Sequence, residues 1–281
     1  MRQGKSSGLL IVGALLLGLL VAVAAFAPLL AAHEPRAISG PALQLPSSRH
    51  WLGTDVPGRD IFSQLVYGAR TSLLVALIGA TLAITGAILV GVLPALLGGI
   101  ADAVSARLVV LLLALPGLPL LIVIGSLAGQ STWALILVIG LIGAAPNARL
   151  LRSQTLTLRQ RGFVAAARGF GGGPLYVLRR HLVPGLGPFL VVGFVNWAGI
   201  SIALEAGLSF LGLGDPTGVS WGRTLNRALL QQTIYFSDMW TWWVLPSGFA
   251  ITAAVLGFTF VGVGLEPTFN RRWARTWLRA A

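Results

Sequence analysis

Residues 149–184 read RLLRSQTLTLRQRGFVAAARGFGGGPLYVLRRHLVP, an arginine-rich insert in an otherwise oily chain. The whole 281-residue chain is 56% hydrophobic and 10% charged, with a mean hydropathy of +0.84. That composition belongs to a protein that crosses a bilayer several times. A helix needs roughly 20 apolar residues to cross a hydrocarbon core of about 30 Å, because every backbone amide must be bonded within the segment. Runs near 8–30, 71–100, 107–128, 131–145, 186–213 and 244–265 predict an all-α fold of six spans, with Gly129 and Gln130 turning the third into the fourth. Residues 1–70 then form a first span with an extracytoplasmic segment, and 71–281 form a core that carries the insert.

The first run follows Arg2 and Lys5 and precedes Ala31 and Ala32, as a secretory signal would. Its apolar stretch exceeds the 7–15 residues or so of a signal, so it reads as an uncleaved span. With the amino terminus in the cytoplasm, the inner segments hold Arg2, Lys5, Arg107, Arg149, Arg152, Arg159, Arg161, Arg168, Arg179, Arg180, Arg271, Arg272, Arg275 and Arg279. The outer segments hold Arg36, Arg49, Arg59, Arg70, Arg223 and Arg227. The asymmetry predicts both termini inside, and it accounts for the formal charge of +12 without nucleic acid, because the basic residues flank spans and are expected to lack interleaved exposed aromatics.

Several chemistries are missing. There is no cysteine, which excludes disulfides, thiolate metal sites and thiol nucleophiles. Lys5 is the sole lysine and cannot complete a phosphate loop, since the first glycine of that motif would precede Met1; any ATP is handled by another chain. His33, His50 and His181 are far apart in sequence without a recognised ligand spacing, so no metal site is expected. Ser209, in Gly207-Leu208-Ser209-Phe210-Leu211, lacks the second glycine of a nucleophile elbow, so no catalytic residue is expected either. Glu205 lies deep in a span with Asn196 nine residues earlier. A buried intramembrane acid either lines a water-filled route or bonds to a neighbouring helix, so both residues are candidates for the translocation pathway.

Within the insert, Arg161, Ala165 and Arg168 fall on one side of a helix, with Phe163 and Phe170 opposite. Gly169 and the run from Gly171 to Pro174 end that helix, and a second short one over 175–182 stops at Pro184. Two brief helices joined by a glycine turn make a compact knob; the alternative is a basic loop lying on lipid headgroups.

These residues resemble the cytoplasmic coupling loop in the permease subunits of binding-protein-dependent ABC importers, which carries Glu-Ala-Ala, a glycine soon after and a proline near its end. Ala166, Ala167, Gly171 and Pro184 match. His50-Trp51-Leu52-Gly53-Thr54-Asp55, Gly58-Arg59-Asp60 and the stretch from Tyr67 to Leu73 narrow the resemblance to the dipeptide, oligopeptide and nickel branch, second-subunit type. The stretches from Glu205 to Gly214 and from Ser220 to Arg223 extend it. The resemblance implies a six-span permease of the bacterial inner membrane that itself binds no cofactor. It also implies a homologous partner permease, most often a different one, two ATPase subunits that hold ATP and magnesium, a solute-binding protein and surrounding lipid.

On that resemblance, Arg161, Phe163, Ala165, Ala166, Ala167, Arg168, Gly171 and Pro184 couple the spans to the ATPase. Ala165 stands where the family has its glutamate, and Val263 where an aspartate is common. Asp55, Arg59, Asp60 and Arg223 are candidates for seating the binding protein, and Trp240, Trp242 and Trp243 for anchoring at the membrane interface. Peptides are the expected cargo, with a nickel complex or a glutathione-like solute also compatible. A secondary carrier or channel working alone, or an intramembrane enzyme, are the competing readings.

Overall fold

The computed structural model describes residues 2–127 and 131–278, apart from the side chains of 2–6, 168 and 267–278. Long apolar runs become helices α1 (Arg2–Ala25), α2 (Ile61–Leu97), α3 (Gly99–Ala114), α4 (Gly117–Leu127) and α5 (Thr132–Arg159). After them come α6 (Gly162–Gly169), α7 (Pro174–Phe210), α8 (Trp221–Leu229) and α9 (Val244–Leu278). Among the described residues, five helices are long and apolar enough to cross a membrane, and the count rises to six when the bent pair α3–α4 is taken as one broken span. The expected turn at Gly129 and Gln130 lies outside the described residues.

Helix α2 is the central post, lying along α5 and α7, while α9 packs on α7 and α1. Ala69, Ala76, Ala80, Ala83 and Ala87 recur on one face of α2 and are fully buried, which lets neighbouring backbones come close where lipid supplies no hydrophobic drive. At one end of the bundle, residues 31–60 and 211–243 fold into a cap. The knob, α6 with the start of α7, sits at the other end beside the last turns of α5.

Several expected boundaries shift. The second span begins at Ile61, ten residues before the hydropathy rise, because the Asp60 carboxylate caps the first turn through the Ser63 amide. The third is not one straight span: α3 and α4 meet at 91°. Leu115 between them is extended, the conformation that a following proline imposes. The fourth runs on to Arg159, so residues 149–159 are helix and not loop. Loss of hydropathy ends a membrane run, but polar residues such as Arg and Gln propagate a helix well.

Pro184 does not end a helix. Both long helices contain a wide π turn, at Ile88–Val92 and Leu178–Leu182, and in each case a proline follows two residues later, Pro94 and Pro184. A proline brings no N–H and its ring crowds the carbonyl four residues back, and the wider turn takes up that misfit without breaking the helix. The Ser105 hydroxyl donates to the Val90 carbonyl within the first of these turns.

Candidate functional site

The cap begins with two buried carboxylates. Asp60 is 2% exposed; its Oδ2 accepts from the amide and hydroxyl of Ser63 at 2.7 and 2.6 Å, and its Oδ1 meets His50 Nδ1 at 3.0 Å. Asp55 is 1% exposed and accepts from the Arg59 amide at 2.7 Å and the Gln64 side chain at 2.9 Å. Both were expected on a docking surface. Instead they shape the cap from within, since a buried carboxylate needs its hydrogen bonds supplied by the chain. The tryptophans correct the sequence reading in the same direction: Trp242 and Trp243 are buried with Ile61, Ala228, Ile234 and Met239, and Trp240 alone of the three is exposed.

Arginines line the cap surface. Arg227 donates to Gln64 Oε1 and the Pro216 carbonyl at 3.2 and 3.3 Å. Burial holds its pKa below the ordinary arginine value, and Arg223, Arg59 and Arg36 push the same way, with Asp55 opposing them. The Nε atoms of Arg59 and Arg223 are shielded from water and have no hydrogen-bond partner among the described residues. Nearby, partial burial works to raise the pKa of Asp215, yet hydrogen bonds from Thr217 and the Gly218 amide, with Arg36 close, hold it below the usual carboxylate range. Four guanidinium groups thus share a small region.

Glu205 is the hub between cap and spans. It is 3% exposed and accepts from three hydroxyls: Ser220 at 2.7 Å, Ser209 at 2.8 Å and Ser72 at 3.3 Å. Ser220 in turn caps α8 by accepting from the Arg223 amide at 3.2 Å. One carboxylate therefore fixes α2, α7 and the helix that carries Arg223 and Arg227. Trp221 wedges beneath, donating from Nε1 to the Leu65 carbonyl at 2.9 Å. A Cβ on Gly222 would lie 2.5 Å from Ala206 Cα, so α8 lies directly on the backbone of α7. Nine residues are two and a half helical turns, so Asn196 sits on the opposite face of α7 from Glu205. It is exposed, with its Oδ1 against Gly262.

The fold also joins residues that the sequence separates. His33 and His50 stack with ring centroids 4.7 Å apart, and one ligand-capable atom each from His33, His50 and Asp60 lies within 4.8 Å of the other two. His181 is elsewhere, between Phe163 and Tyr176 with ring centroids 5.7 Å from each.

The knob is built the other way round. Val164 is fully buried against a cluster that includes Leu158, Val177, Leu178 and Leu182. Above it, Phe163 is 50% and Phe170 94% exposed, and Ala165 and Ala166 are exposed too, with Leu175 and Tyr176 alongside. Helix α6 ends as expected: Gly171 takes a φ of +83°, and the Gly172 amide reaches back to the Ala167 carbonyl at 2.9 Å, a Schellman turn. The Arg168 side chain lies outside the description. Behind the knob, Arg152 grips Asp102 with two bonds of 2.7 and 2.8 Å, and Arg159 donates to the Ala95 carbonyl at 2.8 Å. These two arginines, expected in a free basic loop, are internal braces. Sequence reasoning missed them, and it missed Val164 and the hydroxyls of Ser72 and Ser220. A serine near a lone intramembrane acid was the available signal.

Comparison with known proteins bears on this arrangement. Residues 83–275 match the family model described as binding-protein-dependent transport system inner membrane component. A Brucella suis protein designated a peptide permease is 40% identical over 261 residues, 92% of this chain and 85% of that one. The dipeptide transport system permease protein of Alkalihalophilus pseudofirmus is 34% identical over 277 residues, covering 96% and 88%. The glutathione transport system permease protein of Shigella flexneri is 33% identical over 277 residues, again covering 96% and 88%.

Proposed function

The chain belongs to the family of binding-protein-dependent transport system inner membrane components, and on that premise we propose that it is one permease half of an ATP-driven importer of dipeptides and oligopeptides. The peptide assignment follows the designations of the Brucella and Alkalihalophilus relatives. The observation that carries the mechanical part is the knob: a short helix pinned by Val164 that turns Phe163, Phe170, Leu175 and Tyr176 outward. Large exposed apolar groups clustered at the end of a bundle suit a groove in a partner.

In this reading the knob faces the cytoplasm with both termini and docks on one of two ATPase subunits, which hold ATP and magnesium. Closure of the ATPases pushes α6. The push passes through the buried cluster under Val164 into the start of α7 and the end of α5, and rocks the spans to alternate access. The route runs between this chain and a homologous permease, with Asn196 on the exposed face of α7 as a lining candidate. The cap faces outward and receives the solute-binding protein through Arg59 and Arg223, held in place by Asp55, Asp60 and the Glu205 network. This chain performs no covalent chemistry.

The test is copurification from native membranes. The tagged chain should bring down a second permease and an ATPase, and a Phe163→Ala/Phe170→Ala double variant should lose the ATPase while keeping the permease. Vesicles that contain this chain alone and still concentrate a solute would overturn the reading in favour of a self-sufficient carrier.

A further inference from the structure

We propose that His33, His50 and Asp60 form a binding site for a divalent transition ion of the zinc type, one that staples the cap to the first and second spans. The three residues come from separate places: His33 just after the first span, His50 in the middle of the cap segment, and Asp60 at the N-cap of α2. The segment between them has no helix and, among the described residues, a single isolated β-bridge at Thr54 and Asp60. It gains little from regular hydrogen bonding, so a cross-link there has structure to stabilise.

The donor set is suited to such an ion. Two imidazoles and one carboxylate fit zinc and its neighbours, whereas magnesium and calcium select oxygen ligands. Ligands about 2.0–2.1 Å from a tetrahedral ion lie roughly 3.3 Å from one another. His50 Nδ1 and Asp60 Oδ1 are 3.0 Å apart, close to that edge length, so an ion can replace the proton they now share. Side-chain rotation that draws in the widest pair, now within 4.8 Å, completes the triangle.

The carboxylate is already aimed. Ser63 binds Asp60 Oδ2 with both its amide and its hydroxyl, leaving Oδ1 turned to the histidines, the kind of support that orients metal ligands. Gly40 makes room for the His50 ring, since a Cβ there would lie 2.9 Å from its Nε2. His33 has a nitrogen to offer: its Nδ1 is shielded from water and has no hydrogen-bond partner among the described residues. Leaving a buried polar nitrogen unpaired is costly, and coordination removes that cost. His33 is only partly buried, so a water can take the fourth position.

Zinc binding to the purified full-length chain in detergent, stripped with a chelator and then titrated with Zn²⁺, tests the proposal. About one ion per chain should remain after dialysis, and the unfolding temperature should rise with zinc. His33→Phe preserves a stacked ring but removes the ligand nitrogen, and it should weaken zinc binding at least about tenfold. His181→Gln should leave it unchanged. An unaltered zinc affinity in His33→Phe, or a wild-type chain that retains no zinc or prefers magnesium, would overturn the assignment.

Discussion

Asp55, Asp60 and Glu205 at the cap are each no more than 3% exposed and are bonded by the chain's own donors, whereas Phe163 and Phe170 at the knob stand 50% and 94% exposed over a single fully buried valine of α6. The cap satisfies its carboxylates with its own donors, and that internal bonding fixes the frame on which its arginines are displayed. The knob leaves its apolar groups unspent, and its surface is finished by whatever docks on it. Substitutions should therefore act on stability at one end and on coupling at the other.

The largest effect is expected at Glu205. Replacing it with alanine removes the acceptor of three buried hydroxyls and frees Ser220, the cap of α8; we expect a loss of about 3–5 kcal/mol. Thermal unfolding in detergent reads this as a large fall in the midpoint, and Glu205→Gln, which keeps an acceptor, should recover much of it. A Glu205→Ala chain that melts like the wild type would mean the hub is ornamental. Glycines give a smaller, matched comparison. Gly222→Ala pushes a methyl into the α7 backbone and should cost about 1–3 kcal/mol. Gly169→Ala in the knob meets open space within α6 and should be neutral or stabilising by up to about 1 kcal/mol, since alanine is the better helix former. Equal melting of the two variants would erase the contrast between cap and knob.

How much of this was legible in the sequence follows the same division. Apolar runs of about membrane length gave most of the spans, while the run at 131–145 reaches that length only because its helix continues to Arg159, and the Gly171 end of the knob helix was readable because a left-handed residue there favours glycine. The bend at Leu115, by contrast, needed Pro116 to be read as a conformational constraint on its neighbour and not as one more apolar residue. The π turns escaped notice because Pro184 was read as a helix end and Pro94 as one more residue of an apolar run, and not as misfits that a wider turn absorbs. Roles in the cap were harder still. Arg59 and Asp60 are adjacent charges of the kind that surfaces carry, and only tertiary structure shows one half-exposed and the other buried under His50. Long-range pairs such as Ser72 with Glu205, 133 residues apart, leave no local pattern at all.

Ala165 is where the two ends of the molecule part most finely. It is exposed on α6, with Arg161 four residues before it and Arg168 three after in the sequence, spacings at which a glutamate on a helix can pair with an arginine. Such pairs are worth about 0.2–0.5 kcal/mol each, and Ala165→Glu should change the unfolding midpoint little. Docking is another matter. If the positive face of this knob meets acidic or neutral groups on the ATPase, an added carboxylate sets like against like or discards an attraction, and transport-coupled ATP hydrolysis should fall by roughly tenfold, about 1.4 kcal/mol in coupling. The measurement is ATP turnover by the reconstituted complex with and without loaded binding protein. A substitution that left both melting and coupling as they were would make position 165 a passive part of the knob and confine the contact to the aromatic side chains around it.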